Sequence, residues 1–225
     1  MKGTFYGVGI GPGDPGLMTL KAVRLIENSE NIAFPGDVPE ETLAYRIVTG
    51  ELDLSGKNLI GLSFPMSTDK EYVASCHRKN TDKVVAVLEE GKDVILPVLG
   101  DPGVYSTFSY VADLVKERGY ETAVIPGITS FCAADAEEAT NLIYGDEQLH
   151  ILPNAQNAEE NLKLPGTKVF MKTTKNASKV MKLAEEKGLN VTAFENCTME
   201  DRKVYHSSQE AEKAGYYTLV VVKEK

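Results

Sequence analysis

Short apolar runs and longer amphipathic windows follow one another along the first half of the chain. Residues 4–9, 31–34, 58–64 and 94–98 are runs of strand length, and the windows between them carry apolar residues at helical spacing. Residues 20–28 read as a helix with Thr19 as its N-cap, and residues 41–48 as a second. Thr68, with Glu71 three residues later, reads as a capping box opening a helix that reaches about Glu90. Its apolar stripe is Val73, Cys76, Val84, Val87 and Leu88, with Arg78, Lys79, Asp82 and Glu89 on the opposite side. Residues 108–118 form a further amphipathic helix after the run 94–98. Repeated strand and helix patterns of this kind predict a mostly parallel sheet with right-handed crossovers.

After Gly119 a second series begins. Residues 121–125 read as a strand, 131–139 as a helix, 149–152 and 168–171 as strands, 177–187 as a helix and 190–195 as a strand. Residues 203–205 and 217–222 flank a polar stretch and read as an antiparallel pair. The fold class is therefore α/β in two domains: an N-terminal parallel sheet over residues 1–116 and a C-terminal mixed sheet over residues 117–225.

Composition narrows the function classes. A formal charge of -9 argues against nonspecific binding to nucleic acid or to an anionic membrane surface, both of which need a basic face. No run approaches the length of a membrane span, and six glycines and two prolines in the first sixteen residues interrupt any signal-peptide apolar region. Cys76, Cys132 and Cys197 are odd in number and lack C-x-x-C spacing, so neither a disulfide framework nor a zinc site is indicated. A reducing cytoplasm is the expected location. His77, His150 and His206 do not pair at metal-binding spacing, and no metal is expected.

The candidate chemistry lies where strands give way to helices. Leu99, Gly100, Asp101, Pro102, Gly103, Val104, Tyr105, Ser106 and Thr107 place a carboxylate and three hydroxyls after the fourth strand, where open parallel sheets bind ligands. A second glycine-rich loop, Gly7 to Gly16, follows the first strand. Its Gly11, Gly13 and Gly16 match G-x-G-x-x-G, with Asp37 at about the right distance for a dinucleotide site. The context disfavours that reading, since Pro12 and Pro15 lack amide donors and Asp14 adds negative charge where a pyrophosphate needs the opposite. A tight turn without a ligand is the plain alternative for this loop. Tyr105 reads either as a core aromatic beneath its loop or as a functional group.

Three motifs in this order resemble the tetrapyrrole methyltransferases that use S-adenosylmethionine. They are the Gly7–Pro15 loop followed by Leu17, Met18, Thr19, Leu20, Lys21 and Ala22; Gly100 to Ser106; and Pro126, Gly127, Ile128, Thr129, Ser130 and Phe131. Residues 105–108 and 145–153 are most similar to the precorrin-2 or cobalt-precorrin-2 carbon-20 methyltransferases of corrin biosynthesis, with uroporphyrinogen methylation as the rival within the family. A noncatalytic module binding the cofactor or a tetrapyrrole is the rival outside it. The chain departs from the resemblance at residues 135–140, which are more acidic than is usual, and at Cys197, where glycine or alanine is common.

The resemblance implies a homodimer of two-domain protomers, with S-adenosylmethionine held between the domains and a tetrapyrrole beside it. It assigns the cofactor to Gly100, Asp101, Gly103, Val104, Tyr105, Thr129, Ser130 and Met171. Met171 reads equally as a core methionine. The first loop, through Gly11, Pro12, Gly13 and Asp14, would face the tetrapyrrole, with Asp14 and Tyr105 as candidates to assist proton loss. Lys21, Arg24, Arg46, Lys70 and Arg78 are candidate partners of the substrate carboxylates, or solvated helix faces.

Overall fold

The computed structural model describes residues 2–224. By its internal contacts the chain separates into two compact units, Met1–Thr129 and Ser130–Lys225.

The first unit is built on strands β1 (Thr4–Gly9), β2 (Asn31–Pro35), β3 (Asn58–Leu62), β4 (Val94–Val98) and β5 (Glu121–Ile125), in the order β3-β2-β4-β1-β5. All four pairings are parallel. β4 lies between β1 and β2 and is buried at every position, which is why it reads as an uninterrupted apolar run.

Alternation along these strands feeds two cores. Phe5, Ala33, Leu96 and Val98 pack with Val84 and Leu88 of α3 (Lys70–Glu89) and Val111 and Val115 of α4 (Phe108–Glu117). Val8, Ile32, Phe34 and Ile95 pack with Ala22 and Ile26 of α1 (Leu20–Glu27) and Ala44 and Ile47 of α2 (Leu43–Thr49). Helices α1 and α2 therefore cover one face of the sheet, and α3 and α4 the other.

Two expectations are corrected here. Helix α3 is capped by Asp69, not Thr68: its side chain accepts from the amides of Glu71 and Tyr72. Its buried stripe also takes in Asn80, whose side chain exchanges two hydrogen bonds with the backbone of Ser63, at 2.9 and 2.8 Å. Hydrogen bonds of this kind offset the cost of burying a polar side chain, and no apolar pattern announces it. The division between the units falls after Thr129, beyond β5, whereas the sequence pattern places it between residues 116 and 117. β5 closes the first sheet by pairing with β1 through residues Thr4 to Val8, and strand pairing across 117 residues of sequence leaves no local mark.

The second unit contains α5 (Ser130–Glu137), β6 (Leu149–Leu152), the short α6 (Ala158–Asn161), β7 (Thr167–Phe170), α7 (Ala177–Glu186), β8 (Asn190–Glu195), β9 (Lys203–Tyr205) and β10 (Thr218–Lys223). Its sheet order is β6-β7-β10-β8-β9. β6 is parallel to β7, and β10 is antiparallel to both of its neighbours, so the sheet is mixed as expected. The final pairing differs: β9 and β10 do not pair with each other, and each instead pairs antiparallel with β8. β10 is the buried central strand, and Val220 and Val222 pack with Phe170, Ala193, Val180 and Met181 beneath α7. Its five consecutive buried positions show that both faces of the strand are covered.

Candidate active site

In the first sheet β1 leads to α1 on one face, while its neighbour β4 leads to α4 on the other. Loops that part in opposite directions from adjacent parallel strands open a crevice outside the carboxyl ends, the usual ligand position in such sheets.

The loops after β1, β4 and β5 are tied together at this point. Gly100 donates its amide to the Gly11 carbonyl at 2.8 Å. Asp101 accepts from the Gly103 amide at 2.7 Å through Oδ1 and from the Gly127 amide at 2.9 Å through Oδ2. One carboxylate thus closes its own turn and holds the third loop. The backbones are in contact: a Cβ added to Gly127 would lie 2.2 Å from the Gly100 oxygen and 2.7 Å from the Gly9 Cα. Gly100 also takes φ +69°, a conformation open to glycine at little cost.

Asp14 is exposed, and its Oδ1 accepts from the Gly16 amide at 2.8 Å, capping a 3-10 turn over Pro15–Leu17. Gly11, Pro12 and Gly13 are buried, so of these four residues Asp14 is the outward-facing one. Tyr105 is 42% exposed with φ +48°, which removes the core-aromatic reading. Left-handed backbone in a residue other than glycine costs free energy and gathers at functional sites. Ser106 accepts from the Phe108 amide at 3.1 Å and so helps to start α4. Val104 is half-buried, as is Thr129, the last residue of the first unit.

Residues 9–16, 99–107 and 126–130 contain no lysine or arginine, and their only charged groups are Asp14 and Asp101. Backbone amides and carbonyls, hydroxyls and two carboxylates suit a polar ligand that is neutral or cationic. They do not match a phosphate, which calls for arginine, lysine or a clear helix N-terminus.

Ser130 and Met171 belong to the second unit. Ser130 begins α5, and its carbonyl accepts the Cys197 thiol, Sγ to O 3.6 Å. Met171 is half-buried directly after β7, with its amide on the Leu152 carbonyl at 2.8 Å. β6, β7 and β8 run in the same direction, so the segments after β7 and β8 emerge from one edge of this sheet.

Four non-glycine residues there are left-handed: Lys172 (φ +50°), Thr174 (+48°), Asn196 (+52°) and Thr198 (+65°). Between the first two, Thr173 is fully buried, and both its amide and its hydroxyl donate to the Thr218 carbonyl. No motif in the sequence singles out these residues as a site. Only Asn196 carried a signal, since asparagine tolerates this conformation better than most residues.

The remaining candidates are scattered. Lys21, Arg24, Arg46, Lys70 and Arg78 are exposed on α1, α2 and α3. His77 stacks on Tyr110 with ring centroids 5.0 Å apart and touches Phe64, and burial lowers its pKa. Among the described residues no group of three or more His, Cys, Asp or Glu is arranged to hold a metal ion, and no helix is long and apolar enough to cross a membrane.

A sequence model of the tetrapyrrole (corrin/porphyrin) methylases matches residues 4–211. A probable cobalt-precorrin-2 C(20)-methyltransferase of Methanocaldococcus jannaschii is 36% identical over 200 residues, covering 88% of this chain and 85% of its own. The precorrin-2 C(20)-methyltransferase of a Sinorhizobium species is 28% identical across 98% of this chain and 95% of its own. Among solved structures, a uroporphyrin-III C-methyl transferase of Thermus thermophilus complexed with S-adenyl homocysteine superposes with a TM-score of 0.70 at 18% identity, over 98% of this chain and 92% of that one. The parallel sheet with its three joined loops, the mixed sheet that follows and a match running through both units make the chain a member of the tetrapyrrole methylase family.

Proposed function

We propose that the chain methylates carbon 20 of precorrin-2 or of its cobalt-containing form, in corrin biosynthesis, with S-adenosylmethionine as the donor. One observation carries this reading: three strand-end loops are joined through Gly11, Gly100, Asp101 and Gly127 into a polar crevice without a basic side chain. The donor set fits a ligand that has no phosphate and carries one positive charge. The choice of substrate is supported by the two relatives matched over most of their length, both named for methylation at carbon 20.

When bound, S-adenosylmethionine supplies a methyl group activated on a sulfonium. The chain's part is alignment and exclusion of water, and orientation of this kind is worth about 7–11 kcal/mol of a barrier. Gly100, Gly103 and Val104 would hold the cofactor through their backbone. Asp101 would act by fixing them, because both its oxygens are engaged by amides of the loops themselves. Tyr105, Thr129, Ser130 and Met171 complete the proposed cofactor set. Gly11, Pro12, Gly13 and Asp14 form the proposed tetrapyrrole side, with contact made chiefly by Asp14. Asp14 and Tyr105 are the side chains offered for the proton that leaves the substrate carbon.

We further propose a homodimer, the commonest closed arrangement, located in the cytoplasm, where free thiols such as Cys76, Cys132 and Cys197 persist. Light scattering that finds only a 24.5 kDa species at micromolar concentration overturns the dimer.

The deciding experiment supplies methyl-labelled S-adenosylmethionine with metal-free or cobalt-containing precorrin-2 and locates the label by carbon NMR. One label at carbon 20 is expected, and comparing the two substrates assigns the early or late cobalt route. Label on a pyrrole-ring carbon would replace the reading with a uroporphyrinogen-type methylation. Binding without transfer would leave a noncatalytic module.

A further inference from the structure

The two places where the sequence departs from the family resemblance touch each other. Helix α5 ends in Glu137, seven residues after Ser130, and two turns of helix bring those positions onto one face. Both meet the turn after β8. Glu137 Oε1 accepts from the Thr198 amide at 3.0 Å, and the Cys197 thiol lies 3.8 Å from Glu137 Oε2 and 3.6 Å from the Ser130 carbonyl. Arg202 Nε stands behind, 3.7 Å from Oε1.

That turn needs holding. Asn196 and Thr198 are both left-handed, and such backbone persists in non-glycine residues only where its surroundings over-determine it. Asn196 is fixed by its amide on the Tyr217 carbonyl at 3.1 Å and by its side chain on Asp201 at 2.8 Å. The far side of the turn is fixed from α5 by Glu137. Burial, followed by the Glu137 charge, pushes the Cys197 thiol up to about 12, so it keeps its single proton, which the Ser130 carbonyl and the Glu137 carboxylate share as acceptors.

We infer that Glu137 is a positioning residue: its carboxylate locks the turn at residues 196–198 against the end of α5, and Cys197 of that turn meets the Ser130 carbonyl at the start of the helix, which sets the place of Ser130 toward S-adenosylmethionine. The inference rests on the cofactor reading of Ser130. Glycine or alanine at position 197 would leave Glu137 only the Thr198 amide and Arg202 to hold. The acidic residue in α5 and the thiol on the turn therefore act as a matched pair.

The test is calorimetric titration of the purified protein with S-adenosylmethionine and S-adenosylhomocysteine, without a tetrapyrrole, beside steady-state kinetics. Glu137→Ala is expected to raise the dissociation constant of both ligands about tenfold or more, the scale of a lost hydrogen bond to a charged acceptor. The KM for the tetrapyrrole should change by less than about threefold. Glu137→Gln, which keeps an acceptor for the Thr198 amide, should return the affinity to within about threefold of the parent. Parental affinity in Glu137→Ala, or an equal rise in the tetrapyrrole KM, overturns the inference and leaves the cofactor reading standing. If the alanine variant does not fold, Glu137→Asp, one methylene short of the Thr198 amide, takes its place with the same two outcomes. A flat titration of the parent protein overturns the cofactor reading and this inference with it.

Discussion

Asp101 holds Gly127: Oδ2 of the first accepts the amide of the second at 2.9 Å across 26 positions of sequence, while Oδ1 closes the turn at Gly103. A carboxylate that looks available for a ligand is spent on joining two loops. Asp101→Asn turns one acceptor into a donor facing an amide, so the protein should lose about 1.5–3 kcal/mol of unfolding free energy, the scale of a hydrogen bond to a charged group. Urea denaturation measures the loss, and calorimetry should show weaker S-adenosylmethionine binding alongside it. Unchanged stability together with lost binding would make Asp101 a direct ligand instead.

Gly127→Ala probes the same junction sterically. The added methyl would meet backbone, 2.2 Å from the Gly100 oxygen, so the loops must separate. A loss of about 1–3 kcal/mol is expected, the usual range for overpacking. Stability equal to the parent would show that the three loops move apart freely.

The three thiols should differ in reactivity. Cys132 is exposed, whereas Cys76 and Cys197 are buried, and Cys197 is held at about 12 by burial and by Glu137. An alkylating reagent at mildly alkaline pH should modify Cys132 first, with Cys197 labelled only on unfolding, as peptide mass spectrometry would read. Rapid labelling of Cys197 in the folded protein contradicts its contacts.

Tyr205 donates its phenolic proton to Glu195, a buried carboxylate at the end of β8. Burial, then this bond and charge, raise its pKa to about 12 from an ordinary 10. The folded state therefore keeps the proton more tightly than the unfolded chain. The stability this contributes is fully present below pH 10 and is lost as pH rises toward 12. Tyr205→Phe should flatten the decline of stability over that window. A decline as steep as the parent's would assign it to other groups.

Much of this architecture is legible in the sequence, because it follows from local rules. Residues 94–98 form an apolar run that follows Asp93 and gives way, after Leu99, to the turn at Gly100, and their burial follows from hydrophobicity alone. Thr19 caps α1 as its hydroxyl predicts, accepting from the Ala22 amide at 3.2 Å. The glycine-rich and Asp-Pro-Gly motifs mark the loops after β1 and β4, since turn chemistry depends on the residues of the turn. Those motifs also carried the family resemblance.

Tertiary structure alone decided what pairs with what. β5 joins the first unit because its partner is β1, and β10 takes the centre of the second sheet although it comes last. Such pairings are set by long-range hydrogen bonding and shared burial, which leave no periodic trace. The role of Asp101, the exposure of Tyr105, the strained residues after β7 and β8 and the contact of Glu137 with Cys197 and Thr198 belong to the same class. Each depends on groups distant in sequence, so the chain by itself determined the elements and their turns, and packing determined which of their side chains meet.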